Sequence, residues 1–221
     1  MNTNLNELKQ ALQSEDVGVR MKVLPSSRSL GPAERWELVC LAVQDPNSRI
    51  RYDAISQLSS LGQQDLDRAA QILQDALLHD PELDVRAAAA DSIGALGLSQ
   101  LFPVLQQVYE NTGDWVLQFS VVAALGALGD QRAYPLLISA LSHSNDLIKT
   151  AAIGSLGELG NPEAIESLIP LAQHPDWQIR YRTAQALATL GGEKSAQVLQ
   201  QLRHDPDVNV AHMAQSLVDP A

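Results

Sequence analysis

Four of the five histidines, His79, His143, His174 and His204, look at first like a ligand set. Zinc would need their nitrogens about 2.1 Å from one ion. Each, however, closes a predicted helix, where a cationic or donor side chain suits the free carbonyls. They recur about once per structural repeat, so successive ones should stand about 10 Å apart, one helix pair from the next. No metal site is expected. Gly154-x-x-Gly157-x-x-Gly160 has neither the spacing nor the preceding strand of a dinucleotide loop; close helix packing and a C-terminal cap explain it. The single cysteine, Cys40, lies between Val39 and Leu41 on a predicted helix with no neighbouring basic group, and reads as buried and inert. It cannot form an internal disulfide, which points to a reducing compartment and a cytoplasmic home. No Ser-His-Asp set, phosphate loop or recognisable carboxylate pair is present, and no catalytic residue is nominated.

The elements that must position any site are announced by residues 145–160, NDLIKTAAIGSLGELG. Asn145 is a cap. Ile148, Ala152, Leu156 and Leu159 share one helical face, and Gly160 suits a left-handed ending. The same pattern starts at 16, 47, 82, 114, 145, 176 and 207, in steps of 31, 35, 32, 31, 31 and 31 residues. Each copy is a second helix, B, preceded by an amphipathic first helix, A, over 4–13, 32–44, 65–79, 99–110, 131–142, 162–173 and 193–204. Pro46, Pro81, Pro175 and Pro206 stand one residue before a B helix and stop helix A. Pro25 falls inside the first B helix and should break it. The 35-residue step calls for a longer loop or helix near 62–68. No linker interrupts the pattern, so one domain, 1–221, is expected.

Composition agrees with packed helices: 45% apolar, 4% aromatic and 19% charged. A formal net charge of −11 disfavours nucleic acid, whose phosphates need clustered Lys and Arg. No apolar run is long enough to span a membrane, and MNTNLNELKQ lacks the features of a secretory signal.

Numbering each B helix from its cap, positions 3, 7, 11 and 14 form the core face, and positions 2, 5 and 9 face the other way. The fifth positions are Met21, Tyr52, Ala87, Phe119, Thr150, Tyr181 and His212. Arg49, Asp84, Val116, Leu147 and Gln178 flank them two positions after the cap. Three aromatics with Val116 and Leu147 on a face that should be polar suggest a binding groove. Equally, neighbouring B helices can half-bury these side chains. Trp36, Trp115 and Trp177 read as packing between repeats, or, for the last two, as exposed anchors. The caps Asp16, Asp114 and Asp176 can also pair with a basic slot of the adjacent repeat.

Asp-x-x-Val-Arg opening helix B and Leu-Gly closing it resemble the short HEAT repeat. Arg20, Arg51, Arg86, Lys149 and Arg180 fill its basic slot, while Gln118 and Ala211 depart from it. The resemblance implies an all-α solenoid of about seven HEAT-like hairpins in a right-handed superhelix, with B helices lining the concave side. Over nearly the whole chain, the ordered segments SEDVGVR, RIRYDAISQLSSLG, DVRAAAADSIGAL, DWVLQFSVVAALGALGD, NDLIKTAAIGSLGELGNPEAI and DWQIRYRTAQAL resemble the phycobilisome degradation proteins of the NblB type, related to the E/F-type phycobilin lyases. That resemblance implies phycobiliprotein subunits as partners, a bilin such as phycocyanobilin as ligand with no required cofactor, and a place at the thylakoid-associated phycobilisome. It carries no catalytic residues. The site expected on it is Tyr52, Val116, Phe119, Leu147 and Tyr181, with Arg49, Arg51 or Arg182 pairing with bilin propionates. Attachment of bilin by a lyase, and a non-enzymatic adaptor for a photosynthetic complex, are the competing functions.

Overall fold

Periodic apolar faces, amide and carboxylate caps and proline stops dictate a chain of helical hairpins. The computed structural model, which describes residues 4–218, contains them, with no strand among the described residues. The chain packs as two compact units, Met1–Val104 and Leu105–Ala221.

The first unit holds α1 (Leu5–Ala11), α2 (Val17–Met21), α3 (Val23–Ser26), α4 (Pro32–Ala42), α5 (Ser48–Leu61), α6 (Leu66–His79) and α7 (Leu83–Leu96). The expected break appears: α2 and α3 are one B helix interrupted at Lys22, because Pro25 has no amide to continue the ladder. The extra residues of the long repeat form a 3₁₀ turn at Gly62–Gln64 and a 14-residue α6. Here α5 packs on α7, A helix α4 packs on α5, and α6 packs on α7.

After α8 (Phe102–Asn111) come α9 (Trp115–Leu128), α10 (Tyr134–Ala140), α11 (Asp146–Leu159), α12 (Ala164–Leu168), α13 (Trp177–Leu190), α14 (Gly192–Leu202) and α15 (Val208–Val218). B helices α9, α11, α13 and α15 stack in order, each against the next. Within each unit this is the nearest-neighbour stacking of an α-solenoid. Two predicted A helices are markedly shorter than expected. The helix over 131–142 opens as a 3₁₀ turn and is α-helical only over Tyr134–Ala140. The helix over 162–173 is α-helical only over Ala164–Leu168 and continues as a 3₁₀ turn over Ile169–Gln173. Pro170 forces the change by removing an amide from the ladder.

The core is the predicted face. Ile50, Ala54, Leu58 and Leu61 of α5 are buried, as are Ile148, Ala152, Leu156 and Leu159 of α11. B helices touch through small residues. The Ser92 hydroxyl donates to the Ile55 carbonyl at 3.0 Å, and the equivalent Ser155 hydroxyl donates to the Val122 carbonyl at 2.9 Å. Left-handed glycines end α7, α9 and α11 at Gly97, Gly129 and Gly160. Gly31 and Gly62 do not follow: both keep negative φ, the first before α4 and the second running into the 3₁₀ turn.

Two expectations about the A–B joints are corrected. The caps Asp16, Asp114 and Asp176 accept only the first amides of their own helices. The acids that bridge repeats lie two residues before a cap. Arg20, Arg51 and Arg180 reach Asp45, Asp80 and Asp205 of the following repeat with two hydrogen bonds each, at 2.7–3.1 Å. Each of these arginines also donates to two carbonyls of its own A–B turn.

The position two before the cap has a second duty. Ser14, Asp45, Asp80, Thr112, His143, His174 and Asp205 each accept the amide of their cap residue, at 2.8–3.2 Å. His143 and His174 therefore act through Nδ1 as acceptors, not as the donors to a helix end that their position suggested. At the joints they occupy, the preceding basic slot holds Gln118, which turns back to the Thr112 carbonyl, and Lys149, which pairs with Asp146.

Candidate ligand groove

The B-helix register brings the fifth positions of adjacent helices onto one face within each unit. In the first unit, Met21 and Tyr52 line a groove of about 340 Å³ with Pro25, Arg49 and Asp53. On the far side of Tyr52, Ser48, Arg49, Glu82 and Asp84 form a second hollow of about 320 Å³. Tyr52 is 46% exposed, too open for a core residue. Ala87, the fifth position of α7, is buried and brings no ring to this surface.

The second unit carries the larger groove, about 530 Å³, built from α11, α13 and the start of α15. Leu147 and Thr150 form one wall; Trp177, Tyr181 and Arg182 form the other. Gln178, Gln185 and Asn209 supply amide groups. The ring of Trp177 meets that of Tyr181 edge to face, with centroids 6.4 Å apart and planes at 82°, so each fixes the other's tilt. Leu147 is 52% exposed and Trp177 40%. Phe119 and Trp115 of α9 are also exposed, and Val116 is half-buried. Of the three tryptophans, only Trp36 is packed away.

The arginines divide. Arg49 and Arg182 stand in the grooves. Arg51, the third arginine expected at the site, is engaged elsewhere: its guanidinium is bound to Asp80 and to the carbonyls of Asp45 and Pro46. At the fourth position after its cap it points to the joint, one residue away from the groove register. The residues that sequence reasoning did not single out are Gln185 and Asn209. Their helical positions, nine and two after the cap, were the available signal.

Cys40 is half-buried, and burial pushes its thiol pKa up. A raised pKa leaves little thiolate. At pH 7.5 its alkylation by iodoacetamide is expected to run several-fold slower than that of free cysteine, as mass spectrometry of timed samples would show. Among the described residues no three His, Cys, Asp or Glu side chains group as a metal site, and no helix is long and apolar enough to cross a membrane.

Stacked A–B hairpins with a cap, a basic slot and a buried apolar face define a class, and the sequence profile of that class agrees. The chain belongs to the HEAT-repeat family, whose profile matches residues 5–94, 73–153 and 134–218. Among solved structures it is similar to the complex of CpcE and CpcF of phycocyanin lyase from Nostoc sp. PCC7120. The match is 23% identical, with a TM-score of 0.66 over 86% of this chain and 76% of that one. An engineered protein matches at 16% identity and a TM-score of 0.64, over 97% of this chain and 67% of that one. YibA of Escherichia coli matches at 16% identity and 0.59, over 99% and 93%. These likenesses establish the fold. A comparison with curated protein sequences finds no match.

Proposed function

We propose that this HEAT-repeat chain binds phycobiliproteins or their bilin chromophores through the exposed aromatic face of its B helices and promotes phycobilisome disassembly. The observation that carries the reading is the set of large apolar side chains left exposed on the stacked B helices of the second unit, Phe119, Leu147 and Trp177, with the half-buried Tyr181 beside Trp177 in the groove. An apolar surface of this kind on a strongly acidic chain is a docking feature rather than a solubility feature. The ordered segments that resemble the phycobilisome degradation proteins support the same reading. In this account the surface detaches chromophore by gripping bilin and subunit in a distorted pose, without a nucleophile of its own.

A second reading, attachment of bilin by a lyase, is favoured by the similarity of fold to the phycocyanin lyase complex. Visible absorbance separates the two. Mixed with phycocyanin, the chain is expected to bleach or shift the bilin band. Gain of colour by apo-subunit would support attachment, and co-migration at unchanged colour would support an adaptor. Replacing Phe119 and Tyr181 together by alanine should weaken co-migration with phycocyanin at least ten-fold. Unchanged binding would remove the basis of the proposal.

A further inference from the structure

The two units offer grooves of similar construction that differ in whether a carboxylate lines them. The chain carries 26 acids against 15 Lys and Arg, so a surface hollow without a carboxylate is unusual in it. In the first unit, Arg49 shares one hollow with Arg20 and Asp53 and the other with Glu82 and Asp84; Arg20 is itself held by Asp45, and Tyr52 is the only aromatic residue in either lining. In the second unit the lining holds no acid, and Arg182 is its only charged residue. The Arg182 guanidinium donates one hydrogen bond, to the Gln185 side chain at 3.1 Å, and makes no ion pair among the described residues. It stands beside Tyr181, whose ring is held by Trp177, with Leu147 across the groove.

We infer that the groove of the second unit, rather than that of the first, takes a planar conjugated ligand bearing a carboxylate, and that Arg182 reads the carboxylate. A flat apolar body covers the Trp177–Tyr181 wall and Leu147. Its carboxylate meets a cation with no acid in the lining, whereas at Arg49 the same group would face Asp53 in one hollow or Glu82 and Asp84 in the other. A groove of about 530 Å³ is within the usual range for a small-molecule site, roughly 300–1,000 Å³. The choice of pigment as occupant rests on the function proposed above; the choice of groove rests on the charges and rings.

The test uses the full chain and biliverdin, a linear tetrapyrrole with two propionates, beside its dimethyl ester. Binding is followed by tryptophan quenching and by induced circular dichroism of the visible band. Arg182→Ala is expected to weaken binding of the diacid about ten-fold, one charge-assisted contact, while leaving the ester unaffected. Trp177→Ala should weaken both, and Arg49→Ala neither. Failure of the wild type to bind the diacid, equal responses of diacid and ester to Arg182→Ala, or a loss confined to Arg49→Ala would each overturn the inference. So would a dimer of the free chain that Tyr181→Ala dissolves, since the occupant would then be a second copy. Bleaching of phycocyanin that survives Arg182→Ala would defeat this inference and leave the proposed function standing. Arg182-dependent pigment binding with phycocyanin unchanged would do the reverse.

Discussion

Alanine at Gly126 is expected to lower stability by about 3 kcal/mol, at the upper end of the usual cost of overpacking. A Cβ at this position would lie 2.5 Å from the Cβ of Ser155 and 2.6 Å from its Cα. A side chain can rotate away, but the backbone of α11 cannot. Helices α9 and α11 must therefore separate, and the Ser155 hydroxyl then loses the Val122 carbonyl it holds at 2.9 Å. That leaves a buried donor and acceptor unpaired, a further penalty of about 1–3 kcal/mol if no water replaces them. Two other glycines make the experiment internally controlled. Gly157, whose Cβ would come 3.1 Å from the Cα of Ala186, should cost less. Gly154 has nothing within 4 Å, and alanine there should stabilise the helix by up to about 1 kcal/mol. Urea melts followed by circular dichroism should rank the variants in that order. Equal effects at Gly126 and Gly154 would mean that helix propensity, not interhelical contact, governs these sites.

Arg180→Ala should cost about 2–3 kcal/mol at neutral pH, somewhat below the range for breaking a fully buried pair. The Arg180 and Asp205 side chains are only 11% and 4% exposed, and two hydrogen bonds join them. Removing the arginine strands the Asp205 carboxylate and leaves the His174 and Pro175 carbonyls without their donor. The loss should also be pH-dependent. The hydrogen bonds from Arg180, against some opposition from burial, hold the Asp205 carboxyl below the usual range. For Asp80, burial pushes upward, but hydrogen bonds from Arg51 and the Glu82 amide win and the carboxyl is again depressed. A carboxylate depressed by folding contributes stability that is present above its unfolded pKa, about 3.9, and is lost as pH falls through the folded value. The gap in Tm between wild type and Arg180→Ala should thus be widest at neutral pH and narrow below about pH 4. A gap that stays constant down to pH 2.5 would show that lost packing of the arginine stem, not its charge, is responsible.

Much of this architecture is legible in the letters because a repeat states the same physical problem many times. The buried Ile, Ala and Leu at positions 3, 7, 11 and 14 of the B helices follow from the period, and Pro25 breaks its helix for a reason visible in one residue. The groove register was legible for the same reason: positions 2, 5 and 9 of successive helices do converge, as Leu147, Thr150, Tyr181 and Gln185 show. What one helix at a time cannot reveal is which neighbour a long side chain reaches. Arg51 and Arg49 are two residues apart and equally basic. Only the stacking of the next repeat shows that the first is locked onto Asp80 while the second stays in a groove. The bridging acids were missed similarly, because Asp45, Asp80 and Asp205 sit in A–B turns where local rules read them as turn residues. His143 and His174 misled for a chemical reason. Imidazole can donate or accept, and the turn geometry, not the residue type, decides which.

The seven positions that accept a cap amide sort the joints by compatibility. Serine, threonine, histidine and aspartate all satisfy the local amide, but only aspartate also clasps the arginine of the module before it. A module opening with Arg keeps this coupling only where the module that follows it carries Asp at that position. The joints built on His143 and His174 offer no such clasp. For anyone lengthening or shuffling this array, they mark where a graft must supply its own adhesion.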